Sequence, residues 1–195
     1  VRYLAFGDDF RFGKQREGDL DYVRKLAGRY GYAVSPTPTC EIDGLRVSST
    51  RIRALLSQAK FSEAERLLGR PFEMAGKVQY GRQLGRQLGA PTANIALNRV
   101  RSPLKGVYVV KVWSNSLQAA EGLANVGVKP TIGDSLEATL EVHVLEGCPD
   151  LYGQRLKVRF LHKLRGEKKF PSLDALRTSI AEDKVNARAW LKYQG

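Results

Sequence analysis

The sequence predicts an α+β protein: an α/β segment over residues 1–70, then a small antiparallel barrel or sandwich closed by a helix. Three observations carry this. Apolar residues recur at helical spacing before Pro71 and with period two after it. Five short segments rich in Val, Leu and aromatics, each bounded by Gly, Pro, Asn or Asp, follow between residues 77 and 164. Pro171 and Ser172 then open a last helical stripe.

The first part alternates strand and helix signals. Residues 2–6 are a strand candidate, and the polar loop GDDFRFGKQREG follows. Asp19 suits an N-cap, with Leu20, Val23, Leu26, Ala27 and Tyr30 at helical spacing and Gly31 to end the helix. A short strand at Tyr32–Val34 and the hairpin-like EIDGLRV come next. Two helices complete this part. Ser48 or Ser49 caps the first, which carries Ile52, Leu55 and Leu56 on one face; the second runs from about Ser62 to Leu68 and stops at Gly69.

In the second part KVQY (77–80), GVYVVKVW (106–113), EGLANVGV (121–128), ATLEVHVL (138–145) and RLKVRFLHKL (155–164) read as strands. Leu173, Leu176, Ile180, Trp190 and Leu191 supply the apolar face of the final helix. The boundary between the parts is expected at residues 70/71.

Composition narrows the function without fixing it. With 43% hydrophobic residues, the 195-residue chain can bury a core. It contains no apolar run of the roughly 20 residues that a membrane helix needs. Cys40 and Cys148 lack metal or redox spacing, which fits idle thiols in a reducing cytoplasm, and with two scattered histidines they make no zinc site. The net charge of +12 comes from 13 Lys/Arg against 9 Asp/Glu before residue 71 and 19 against 11 after it. Spread so thinly, it admits ATP or nucleic acid and chooses neither.

Three segments carry chemistry. In GRQLGRQLGAPTANIAL (81–97), Gly81, Gly85 and Gly89 lie four residues apart, with Arg82 and Arg86 between them. Consecutive amides in such a loop can cradle phosphate oxygens, although the same pattern also makes an ordinary turn. The Gly-Lys-Ser/Thr ending of a Walker loop is absent. In PTAN, Thr92 and Asn94 point the same way on an extended backbone. They form either a hard oxygen pair suited to Mg²⁺ or a locally hydrogen-bonded turn. In ATLEVHVLEG, alternation sets Thr139, Glu141 and His143 on one face. Glu141 then faces solvent or serves as a general base.

Together with GVYVV, ANVGVKPTIG, DLYGQRLKVRFLHKLRGEKKF and IAEDKVNAR, these segments resemble the riboflavin kinase family. More closely, the chain resembles the C-terminal half of the bacterial bifunctional riboflavin kinase/FAD synthetase, over about residues 73–190 with motifs in the family's order. The resemblance implies a six-stranded antiparallel Greek-key barrel with a C-terminal helix over residues 71–195. It implies a cytoplasmic enzyme that phosphorylates riboflavin with ATP, without a membrane or nucleic-acid partner. Thr92 and Asn94 would hold Mg²⁺ and nucleotide phosphate, the loop at 81–89 would close over ATP, and Glu141 would be the base for the ribityl 5′-hydroxyl. Arg165, Glu167 and Phe170 would lie on the flavin side. Ala90 stands where the family often has a larger apolar residue, commonly Phe.

Residues 1–70 resemble the end of the family's FMN adenylyltransferase module, so a truncated Rossmann-like α/β fragment is expected there. GDDFRFGKQREGD and VSSTRIRALL carry the likeness. Ser49, Thr50, Arg51 and Arg53 at a helix start suit a phosphate tail, although helix capping accounts for the serines equally well. No glycine-rich strand–loop with paired histidines precedes them, so adenylyl transfer is not expected from this chain alone. The fragment is expected to be marginal, to aggregate, or to pair with a separate N-terminal piece. Two other readings remain at this point. One is a basic barrel that stacks single-stranded nucleic acid on Tyr108, Trp113 and Phe160, although these alternate like core residues. The other is a folded flavin- or nucleotide-binding module without activity.

Overall fold

Asp19 accepts a 2.9 Å hydrogen bond from the Tyr22 amide and so caps helix α1 (Leu20–Tyr30). This helix joins strands β1 (Tyr3–Gly7) and β2 (Ala33–Thr37), which pair in parallel, as a helical crossover allows. Strands β3 (Glu41–Ile42) and β4 (Leu45–Arg46) form a hairpin, with Asp43 and Gly44 at φ 55° and 68° in its two-residue turn. Two positive φ values in succession explain the Asp-Gly pair. The computed structural model describes every residue except Asp8, 82–88, 98–101, 131–135, Cys148, Pro149 and Gly195.

The chain divides into two compact units, Val1–Ser49 and Thr50–Gly195. The first has the α/β character expected of it. Two parallel strands and one helix do not by themselves show a Rossmann-like sheet. Val23 is buried on α1, whereas Tyr30, expected on the same apolar face, is exposed.

The division falls ahead of the expected boundary at 70/71 for a packing reason. Helices α2 (Ser49–Ser57) and α3 (Phe61–Leu68) contribute Leu56, Phe61 and Ala64 to the barrel core. The Phe61 ring lies 6.0 Å from Tyr108 and 6.3 Å from Phe160, and Phe72 joins the cluster 5.9 Å from Phe160. Aromatic rings at such separations add attraction beyond their buried area.

The barrel is closed in the order β10-β5-β6-β9-β8-β7 and has six strands. These are β5 (Glu73–Gln79), β6 (Ala93–Ala96), β7 (Gly106–Trp113), β8 (Ala120–Pro130), β9 (Leu136–Val144) and β10 (Arg155–Arg165), all antiparallel. Strands β7, β8 and β9 follow one another as a meander, and β10 returns to lie beside β7, which is a Greek key. The five expected strand segments are all present, and β6 begins within PTAN at Ala93.

Tyr108, Val110, Val112, Leu156, Val158 and Phe160 point inward and are at most 3% exposed. A second core lies outside the barrel, where helix α4 (Leu173–Gln194) covers Val107, Val109, Leu123 and Leu145. Burial on both faces explains why GVYVV is an unbroken apolar run. Trp190 and Leu191 sit in this second core, and the Trp190 ring stacks on His162 at 5.1 Å. Leu173, expected on the apolar face of α4, is exposed. Trp113 also departs from the core-like reading. It faces outward beneath Lys157 and Arg159, which lie 4.7 and 4.9 Å from its ring centroid.

Candidate active site

The alternation that sends Leu140, Val142 and Val144 into the core turns Glu141 and His143 to the outer face of β9. Register places Asn94 of β6 opposite Glu141 on one side and Asn125 of β8 opposite it on the other. Side chains so paired are roughly 5 Å apart at Cβ. Thr92 lies two residues before Asn94, where the chain enters β6.

A cavity of about 330 Å³ opens over this face. Thr92, Asn125, Glu141 and His143 line it from the barrel side. Arg165, Glu167 and Phe170 line it from the end of β10 and the segment after it, while Leu176, Ile180 and Asp183 do so from α4. An apolar wall with a few convergent polar groups is the usual character of a small-molecule site.

Each polar wall has a visible support. Two register shifts in β10, between Phe160 and His162 and between Lys163 and Arg165, insert extra residues opposite β7. Such bulges re-aim the side chains that follow. Arg165 forms a two-pronged ion pair with Asp183, Nε to Oδ1 at 2.9 Å and Nη2 to Oδ2 at 2.7 Å. The Arg165 guanidinium also donates to the Gly166 carbonyl at 3.1 Å and lies 5.7 Å from the Phe170 ring centroid. The pair therefore ties α4 to the segment carrying Glu167 and Phe170. Glu167 is held by Lys105 at 3.2 Å and packs closely on Gly127, where a β-carbon would collide with its carboxylate.

On the barrel side, Gly81 packs against the Asn94 carboxamide so tightly that a β-carbon at 81 would overlap it. One residue into α4 from Asp183, Lys184 donates to the Gly89 carbonyl at 3.0 Å, fixing the exit of the glycine-rich segment. Burial, then the nearby Arg188, lowers the Lys184 pKa. His143 donates from Nδ1 to the Pro91 carbonyl at 2.9 Å. Burial pushes its pKa below the usual imidazole value; Lys184 and Arg188 act in the same direction, and the bond to Pro91 opposes them.

The fold thus gathers Thr92, Glu141, Arg165, Glu167 and Phe170 around one cavity, with Asn94 beside Glu141 and Gly81 against Asn94. Gly89 is reached through Lys184. Arg82, Gly85 and Arg86 fall outside the described residues. Ser49, Thr50, Arg51 and Arg53 lie at the start of α2 and do not line this cavity. Sequence reasoning did not single out Asn125, Asp183 or Lys184. Asp183 had a readable signal, since it is a carboxylate set in the Leu176, Ile180, Ala187 stripe of an amphipathic helix.

The family model for riboflavin kinase matches residues 68–191, which include the barrel, the cavity and nearly all of α4. The chain belongs to the riboflavin kinase family. A model for FAD synthetase matches residues 1–51. A bifunctional riboflavin kinase/FMN adenylyltransferase from Pseudomonas fluorescens is 51% identical over 189 residues, covering 97% of this chain and 60% of that protein. The protein of the same description from Escherichia coli K12 is 44% identical over 188 residues, covering 96% and 60%. The chain therefore spans about 60% of the length of these curated relatives. A solved structure described as a macrolide-efflux protein from Streptococcus pneumoniae superposes with a TM-score of 0.68 at 34% identity, covering 94% of this chain and 59% of that one. Ala90 is buried at 3% exposure on the cavity wall.

Proposed function

We propose that this chain transfers the γ-phosphoryl group of ATP to the 5′-hydroxyl of riboflavin, giving FMN and ADP. The observation that carries the reading is that Thr92 and Glu141 line one cavity while Asn94 stands directly across from Glu141. Glu141 orients the ribityl hydroxyl and takes its proton as the new O–P bond forms and the bond to the ADP oxygen breaks. Phosphoryl transfer asks the protein for positioning and charge more than for covalent chemistry. A hydroxyl and a carboxamide oxygen are hard donors, and among the described residues no group of three or more His, Cys, Asp or Glu gathers to hold a metal. This donor set fits Mg²⁺, which keeps waters and substrate phosphates as its other ligands. Thr92 and Asn94 would hold the ion, whose chemistry is to neutralise the phosphate oxygens. Arg165, Glu167 and Phe170 form the flavin side, and Gly81 and Gly89 frame the ATP side.

Incubating the purified chain with riboflavin, ATP and Mg²⁺ and separating the flavins tests this directly. FMN formation dependent on all three is expected, and its absence overturns the reading. The nucleic-acid alternative has no support in the fold, because Tyr108 and Phe160 are core residues and Trp113 lies under two cations.

The match of residues 1–51 to FAD synthetase supports a second activity for a longer protein of this kind, adenylylation of FMN to FAD. Residues 1–70 would then belong to its adenylyltransferase module, with Ser49, Thr50, Arg51 and Arg53 near a phosphate tail and the rest of that module as partner. No helix among the described residues is long and apolar enough to cross a membrane. The use of ATP and the bacterial relatives support a cytoplasmic site of action.

A further inference from the structure

His143 has one ring nitrogen explained and one unexplained. The Pro91 carbonyl can only accept, so the 2.9 Å contact requires the proton on Nδ1. In the neutral ring Nε2 then carries a lone pair. No protein donor among the described residues meets Nε2, yet no described buried side-chain nitrogen or oxygen lacks a partner. Nε2 is therefore not sealed from solvent, and His143 lines the cavity. The residue is only 8% exposed, and the cavity it lines is the route we infer to that nitrogen.

The chemistry of the missing partner is restricted. A neutral imidazole nitrogen accepts a hydrogen bond and repels another lone pair. Phosphate oxygens ionised at neutral pH have no proton to offer it, whereas an alcohol does. Glu141 lies two residues earlier on the same strand face, roughly 7 Å away along β9. A polyhydroxylated chain presenting one hydroxyl to Glu141 can thus present another to His143.

We propose that His143 reads the acceptor substrate, its Nε2 accepting a hydrogen bond from a ribityl hydroxyl other than the one phosphorylated. The inference rests on the riboflavin kinase reading and adds to it a residue that selects the polyol. The Nδ1–Pro91 bond fixes the ring and, through Pro91, the chain entering Thr92, so the same side chain joins the two substrate sides.

Two substitutions separate the two nitrogens. In His143→Asn the shorter amide can still donate near the Pro91 carbonyl but leaves nothing at Nε2. In His143→Gln the amide oxygen reaches the Nε2 position. Riboflavin binding is followed by flavin fluorescence, and KM is measured separately for riboflavin and ATP. His143→Asn should weaken riboflavin about 10-fold in Kd and KM, the loss of one hydrogen bond, with the KM for ATP within about 2-fold. His143→Gln should recover most of that loss. A riboflavin analogue lacking the recognised ribityl hydroxyl should bind wild type more weakly by the same factor and His143→Asn no more weakly than riboflavin does. Unchanged riboflavin affinity in His143→Asn, or equal losses for riboflavin and ATP, overturns the proposal while leaving the kinase reading intact. Wild-type protein that neither binds riboflavin nor makes FMN overturns both.

Discussion

Asn94 and Glu141 stand directly opposite each other on β6 and β9, both on the outer face of the barrel. The carboxylate proposed as base is thereby held next to the amide proposed as a cation ligand. Replacing Glu141 by Gln preserves shape and removes the proton acceptor. Turnover should fall roughly 10²–10⁴-fold with little change in nucleotide affinity. Steady-state assays beside Mg-ADP titrations check this, and near-normal turnover removes Glu141 from the role. Thr92→Ala combined with Asn94→Ala should do the reverse and abolish Mg-dependent nucleotide binding, which the same titrations report.

Gly81 supplies the second relationship. Its Cα packs on the Asn94 carboxamide, and a methyl group there would occupy the space of that side chain. Gly81→Ala should therefore push Asn94 aside without disturbing the barrel core. We expect Mg-ATP affinity to drop on the order of 10-fold, about 1.4 kcal/mol, while riboflavin affinity stays near wild type. Calorimetric titration with Mg-ADP and fluorescence titration with riboflavin distinguish the two. An equal loss of both ligands would point to general disruption instead.

Much of this architecture is legible in the residues. Period-two alternation located Glu141 and His143 on the outer face because Leu140, Val142 and Val144 have one place to go. The Asp-Gly turn, the Asp19 cap and the two-sided apolar run of GVYVV are local signals that the structure obeys. What could not be read arises from distant pairings. The sequence does not say that Phe61 enters the barrel core beside Tyr108. The Arg165–Asp183 pair joins residues on a bulged strand and a helix, and bulges have no pattern of their own. Trp113 illustrates the remaining ambiguity, since an aromatic residue at the end of a strand can be covered by cations as well as by core.

That ion pair makes a stability prediction. The Arg165 and Asp183 side chains are 18% and 8% exposed, so removing one charge strands the other away from water. Asp183→Ala should cost about 3–5 kcal/mol. For a chain of this size each kcal/mol lowers Tm by roughly 2–4 °C, so a fall of about 6–20 °C is expected in thermal denaturation. Replacing both partners by apolar residues, Arg165→Met with Asp183→Leu, should restore most of the stability but not the flavin affinity, because Phe170 and Gly166 lose the guanidinium that holds them. A Tm shift of under 2 °C in Asp183→Ala would mean that the pair is solvated in solution.

His143 gives stability a pH dependence whose sign is fixed by its surroundings. Burial, Lys184 and Arg188 keep its folded-state pKa below the usual value of about 6.5, despite the Pro91 bond, so the folded state binds this proton less readily than the unfolded chain. Stability must then rise with pH wherever the unfolded state carries the extra proton. The contribution is fully present above about pH 6.5, declines as pH falls through that value, and levels off below the lowered folded-state pKa. Glu141 lies two residues away on the same strand face, and Lys184 and Arg188 act on the ring from α4. Thermal denaturation between pH 7.5 and 5 should show a steeper loss for wild type than for His143→Gln, which has no proton to take up at this position. Parallel curves for the two proteins would place the imidazole in contact with enough water to titrate as it does when unfolded.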